Sequence, residues 1–314
     1  MIDKVFCAGG IGTGVLFMLE GEHTMTRNES RLGRLTDYRD YCKAHIISHY
    51  IAKLARGARV YAIGMVGADE PGERLVAEMS AAGINTRFVM AAGEARTMMS
   101  VCYQYPDGSG GNITSSNSAC ALVSPAYVER CAAESDMDEN SLVVAAPEIP
   151  LESRIRLLEI GRAKNAFTVS SFIAGEAREF EKAGGFLLSQ MIAINMDEAA
   201  AAGGGIESAA NKISGINPEI KIIITAGAGG SYIYEDGLLT HIACIPEDAV
   251  NTAGAGDAYL GGAAAAIISG MNFRKAAGYG AVIARFAVLS RNAIAGGVTL
   301  ENVESYIREK NIPI

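Results

Sequence analysis

The chain has 314 residues, 49% of them hydrophobic and 20% charged, a globular composition with material for a large core. Its net charge of −8 and its lack of tryptophan exclude a general basic field for phosphate backbones and an aromatic platform for single strands, so no nucleic-acid partner is expected. The six cysteines, at 7, 42, 102, 120, 131 and 244, include no C-x-x-C pair, and reduced structural thiols are expected rather than a disulfide framework or a zinc site.

Met1-Ile-Asp-Lys4 leads straight into an apolar run without a basic leader or a cleavage site, so a cytoplasmic protein is expected. Lys4 to Gly10 reads as a strand running into a glycine turn. Residues 20–41 are polar and charged, with no clear period. From Tyr41 to Arg56 the apolar residues Ile46, Ile47, Tyr50, Ile51 and Leu54 recur at helical spacing. A strand follows at Val60 to Met65, then a turn over Val66 to Gly72, with Asp69 and Glu70 leading a helix through Ala82. Residues 97–105 alternate through Met99, Val101, Tyr103 and Tyr105, the pattern of a half-buried antiparallel strand, and Pro106 to Gly111 is a turn.

Beyond Pro125 the apolar runs Leu142–Ala146, Phe167–Ile173, Met191–Asn195 and Ile220–Thr225 alternate with helical stretches. Helices are predicted over 256–270, 274–290 and 300–310. The longest uncharged stretch, Ala258 to Phe273, is short for a bilayer and reads as a buried helix, so no membrane partner is expected. Continuous apolar strands alternating with helices specify an α/β fold: a doubly wound, mainly parallel sheet flanked by helices. Two more polar segments, roughly 12–40 and 92–116, interrupt its first third as a small antiparallel β lid. The whole chain, 1–314, reads as one such domain, with its ligands at the carboxyl ends of the strands.

The run Asn251-Thr-Ala-Gly-Ala-Gly-Asp257 precedes the long small-residue helix. Glycines at 254 and 256 leave backbone amides open at a helix amino terminus, where anions bind. A carboxylate at that place can take the proton of an attacking hydroxyl while the amides hold a transferring phosphoryl group. It can equally do no more than complement the helix dipole. Asn195-Met-Asp-Glu198 follows a buried strand. It suits a water-mediated site for a hard cation, or an ordinary helix start. Ile222 to Ser231 is a strand running into a glycine cluster.

Together these segments resemble the ribokinase-like (PfkB) family of carbohydrate kinases. Thr252 to Ala258 matches its T-[TA]-G-A-G-D-[AST] segment, Asn195 to Glu198 its N-x-x-E segment, and Thr225 to Gly230 its T-x-G-x-x-G turn. Leu54 to Val60 and Gly64 to Gly72 resemble its amino-terminal helix, strand and turn. The resemblance implies an ATP-dependent kinase acting on a hydroxyl of a sugar or sugar-like small molecule. Asp257 would be the catalytic base and Ala253, Gly254, Ala255 and Gly256 the anion hole. Thr225, Gly227, Gly230 and Asn195 would lie near the nucleotide, and Glu198 with Asn195 would hold Mg2+ through water. Relatives carry Asp where Asn251 stands, at a monovalent-cation site, so K+ dependence is open. A homodimer through the lid is also implied.

At the sugar end the chain departs from the pattern. Gly14 stands where relatives carry Asp, and Lys43-Ala44 and Ser48 where they carry Gly-Gly and Asn. Glu148 falls where ribokinase-type members place a ribose-contacting Glu. Arg27, Arg31 and Arg34 crowd the lid beside Asn28, Asp37 and Tyr38. Arg31 and Arg34 are candidates to read an anionic or highly polar substrate, against a solvated charged loop. Two further readings stay open: an NAD-binding oxidoreductase using the 9–14 glycine turn, and a non-catalytic ligand-binding member of the same fold. His45-Ile-Ile-Ser-His49 lacks the Glu of a zinc protease helix, and no P-loop or nucleophile-elbow motif is present.

Overall fold

The computed structural model describes residues 1–314, apart from the side chains of 38–40; Tyr38 therefore lies outside the described residues. Its strands in chain order are β1 (Lys4–Ala8), β2 (Gly12–Leu19), β3 (Gly33–Tyr41), β4 (Arg59–Gly67), β5 (Ile84–Ala92), β6 (Met98–Gln104), β7 (Gly110–Thr114), β8 (Ser141–Ala145), β9 (Phe167–Ser170), β10 (Met191–Asn195), β11 (Lys221–Thr225), β12 (Ser231–Glu235) and β13 (Leu238–Ile242). The helices are α1 (Lys43–Leu54), α2 (Glu70–Ala81), α3 (Pro125–Ala133), α4 (Leu151–Ala163), α5 (Ala177–Lys182), α6 (Gly185–Leu188), α7 (Met196–Gly203), α8 (Ile206–Ile216), α9 (Ala255–Ile268), α10 (Phe273–Val288) and α11 (Leu300–Glu309).

Nine strands form the main sheet in the order β13-β12-β11-β10-β9-β8-β1-β4-β5. The seven from β11 to β5 are parallel, and the β12–β13 hairpin closes one edge antiparallel. Every residue of β1 and β8 is buried, because helices cover both faces of the sheet. From β1 the chain turns first toward β4 and β5, and later strands are laid down on the other side. The order therefore reverses between β1 and β8, the kind of switch point at whose carboxyl-end side open parallel sheets take their ligands. Helix α9, uncharged beyond Asp257, is buried on nearly every face from Ala258 onward, as its composition requires.

The second sheet has the order β3-β2-β6-β7. Its outer pairs are antiparallel, but the central pair β2/β6 is parallel, since both strands leave the main sheet in the same direction. Strand β3 emerges from a stretch that shows no period in the sequence. Its pairing to β2 carries two register shifts, which break the alternation a regular strand would show. The β12–β13 hairpin, not predicted as strands, turns on Asp236-Gly237, a dipeptide that favours such turns. Asp69 caps α2 by accepting from Gly72 N, and it also takes Thr97 N and Oγ1, tying α2 to the root of β6. No helix among the described residues is long and apolar enough to cross a membrane.

Candidate active site

A cleft of about 950 Å³ lies at the carboxyl ends of β10 and β11, facing the amino terminus of α9. It brings together Asn195, Glu198, Thr225, Gly227, Gly230 and Asp257, contributed by three separate segments. Gly254, Ala255 and Gly256 also line it, at the start of α9.

Gly254 is the N-cap of α9, with φ of 74°. A side chain there would be strained and would meet Ile46 Cδ1 at 2.9 Å. This turn aims the first amides of α9 into the cleft, while two of the four expected anion-hole amides are bonded internally. Ala253 N donates to Asn251 Oδ1 at 2.9 Å, and Ala255 N donates to Thr252 O at 3.3 Å. Ala253 does not line the cleft. The N–H groups of Gly254 and Gly256 have no protein acceptor among the described residues and remain the open donors.

Asn251 is 5% exposed, and its amide spans the strap before α9. While Oδ1 holds Ala253 N, Nδ2 donates to Arg291 O at 3.0 Å.

Asp257 sits in the first turn of α9, and its nearest cation is Lys43, with Nζ to Oδ2 at 3.6 Å. Burial raises the Asp257 carboxyl above its ordinary value, and Lys43 opposes that shift. Asp257 in turn raises Lys43. Sequence reasoning noted Lys43 only as a departure from Gly-Gly and gave it no role. The available signal was physical: a cation in the first turn of a helix opposes the dipole, so it needs an anion nearby.

Asn195 and Glu198 cap α7 reciprocally: Glu198 N donates to Asn195 Oδ1 at 2.9 Å, and Asn195 N to Glu198 Oε2 at 2.8 Å. This is the helix-start arrangement, built at the edge of the cleft. Burial pushes Glu198 up to about 7, with Lys43 pulling the other way. These are hard oxygen donors, and the second Glu198 oxygen lies outside the capping box. The pair therefore suits a cation held through water.

The substrate-end residues are scattered. Glu148 follows β8 and accepts Lys43 N at 3.1 Å; burial pushes it up to about 7. Ser48 does not reach the cleft: it is fully buried and its hydroxyl donates within α1, to Ala44 O and His45 O. Gly14 pairs with Ser100 across β2/β6, on the face that carries Gln104. Gln104 Nε2 approaches Thr252 Oγ1 at 3.5 Å, so that face looks toward the strap. Arg34 pairs with Met18, which pairs with Gln104, and so shares this inner face. Arg31 does not line the cleft. Its guanidinium is spent on Glu29 and His23 O, and stacks over Tyr105.

The glycine turn read as a dinucleotide site leads into strand β2, not into a helix, so it offers no helix amino terminus to a pyrophosphate. His45 and His49 are held down to about 3 and about 4 by burial, and no group of three metal-ligating side chains exists among the described residues.

A family model described as pfkB family carbohydrate kinase matches residues 47–299. Ribokinase from Giardia lamblia superposes with a TM-score of 0.81 at 17% identity, covering 96% of this chain and 99% of that one. Ribokinase from Cryptococcus neoformans var. grubii, solved with ADP, gives 0.79 at 19% identity, with 98% and 100% covered. A nucleoside kinase from Burkholderia thailandensis, solved with inosine, gives 0.79 at 16%, with 98% and 97% covered. No curated protein sequence matches the chain.

Proposed function

The chain belongs to the pfkB family of carbohydrate kinases, phosphotransferases with an alcohol group as acceptor, and on that premise we propose that it transfers the γ-phosphoryl group of ATP to a hydroxyl of a small polar molecule, with Asp257 as general base. The carrying observation is the pairing of Asp257 with the open amides of Gly254 and Gly256 at the end of one cleft. A carboxylate raised by burial is a better proton acceptor when ionised, and Lys43 opposes that rise and favours the ionised form. The amides stabilise charge on the phosphoryl oxygens without reorganising. Thr225, Gly227 and Gly230 line the nucleotide side of the cleft. Asn195 and Glu198 would hold Mg2+ through water, and that ion would neutralise charge on the phosphates.

Asn251 makes potassium unnecessary in this reading. Its Nδ2 donates to the Arg291 carbonyl, where a carboxylate would set acceptor against acceptor and call for a cation between them. At the acceptor end the exposed Arg34, on the same sheet face as Gly14, supplies a cation for a polar or anionic acceptor. The small sheet acts as the lid that excludes water. Its outer face carries Val15, Phe17, Met99, Val101 and Ile113, which supports a homodimer through the lid. Six cysteines without a disulfide among the described residues suit the reducing cytoplasm.

The reading is tested by an ADP-release screen over sugars, sugar acids, nucleosides and phosphosugars. One class is expected to release ADP in step with acceptor consumed. A blank across all four, with ATP still bound, favours the non-catalytic member of the fold.

A further inference from the structure

Helix α1 does not cap itself. Cys42 holds the N-cap position without a side-chain hydrogen bond to the first turn. The missing acceptor comes from far along the chain, where Glu148 Oε2 takes the Lys43 N–H at 3.1 Å. Several features serve to put that carboxylate there. Glu148 adopts φ of 75°, a left-handed conformation that costs a side-chain-bearing residue on the order of 1 kcal/mol. A Cβ on Gly10 would stand 2.5 Å from both Cβ and Oε2 of Glu148, so only glycine leaves it room. Gly10 N donates to Pro147 O at 2.9 Å, locking the β1–β2 turn to the loop that presents Glu148. Strain is accepted and a neighbouring side chain is given up, both at the point where α1 begins.

Lys43, fixed by that bond, is the residue whose ammonium reaches Asp257 at 3.6 Å. Resting on the assignment of Asp257 as base, we infer that Glu148 is a positioning residue: it anchors the first turn of α1 so that Lys43 stays against Asp257 and sets its basicity. This differs from the acceptor contact that the family resemblance implies for Glu148. The bond to a backbone N–H commits one of its oxygens to the protein itself.

The groups facing this pair come from several elements. Glu198 of α7 and Glu148 of the β8 loop act on Lys43, Cys7 of β1 lies near Asp257, and Arg154 of α4 stands behind Glu148. Removing the Glu148 charge alone favours ionised Asp257, whereas releasing Lys43 disfavours it. Two neutral replacements separate these effects: E148Q keeps an acceptor for Lys43 N–H, and E148M does not.

The test is a titration of Asp257 in the full chain, read as the infrared carboxyl difference between each variant and the same variant carrying D257N. The midpoint in E148M is expected about one pH unit above that in E148Q, a tenfold change in ionisation. In a K43M background the two are expected to coincide. G10A, which pushes the carboxylate off Lys43 without removing it, is expected to raise the midpoint also and serves if E148M does not fold. Equal midpoints in E148Q and E148M with Lys43 present, a gap that persists in K43M, or an unmoved midpoint in G10A overturns the inference. The titration needs neither acceptor nor phosphoryl transfer. Its failure is therefore distinct from failure of the base assignment, which turnover of D257N decides.

Discussion

In the proposed reading the phosphoryl end of the cleft works largely through backbone: the open amides of Gly254 and Gly256, beside a capping box between Asn195 and Glu198. At the acceptor end that reading relies on single side chains from distant segments, Arg34 from β3 for the acceptor, with Lys43 of α1 and Glu148 after β8 standing behind the base. The difference bears on how such a fold changes its substrate. Backbone donors depend on a contiguous run with glycine at a left-handed position, so they tolerate little substitution. Side chains can be exchanged one at a time without disturbing that run. On the proposed reading the chain keeps its phosphoryl end and rebuilds the other.

Substitutions at the two ends should then fail in different ways. D257N is expected to lower kcat by roughly 10³-fold with ATP protection against thermal unfolding kept; near-normal turnover would erase the distinction between the ends. G254A comes next. It forces a side chain into φ of 74° against Ile46 and distorts the open amides, so about a 10²-fold loss in kcat is expected, together with a lower thermal midpoint. N251D should make turnover depend on potassium, with about a tenfold gain on adding the ion and none in the wild type. K43M removes the cation that opposes burial at Asp257. The carboxyl midpoint then rises, the base stays protonated to higher pH, and the acid limb of the kcat profile moves up by roughly one unit. The smallest effect separates two arginines: R34A is expected to raise the acceptor KM by about tenfold or less with kcat held, while R31A, already tied to Glu29 and His23, leaves KM alone.

What the sequence revealed follows the same division. The parallel strands are continuous apolar runs, and α9 beyond Asp257 is an uncharged small-residue stretch, so burial on both faces is written directly into composition. The run 251–257, the pair 195/198 and the turn 225–230 are local, so each carries the family resemblance within a few residues, and residues of all three line one cleft. Lys43, Gly10 and Glu148 are distant in sequence and meet only because β1 and β8 are neighbours at the point where strand order reverses. No local pattern carries that adjacency. Ser48, matched by position, turns its hydroxyl into its own helix, a choice fixed by rotamer and packing that no alignment displays. Strand β3 is legible only as part of the 12–40 lid segment, without bounds, because its register shifts remove the two-residue period.

The central claim is transfer of a phosphoryl group from ATP to a hydroxyl in this cleft, and phosphorus NMR of the products tests it most directly. With the acceptor found by the screen, wild-type protein is predicted to yield a phosphomonoester resonance equal in amount to the ADP formed. ADP appearing with inorganic phosphate alone, in the presence of an acceptor that remains unmodified, would contradict it.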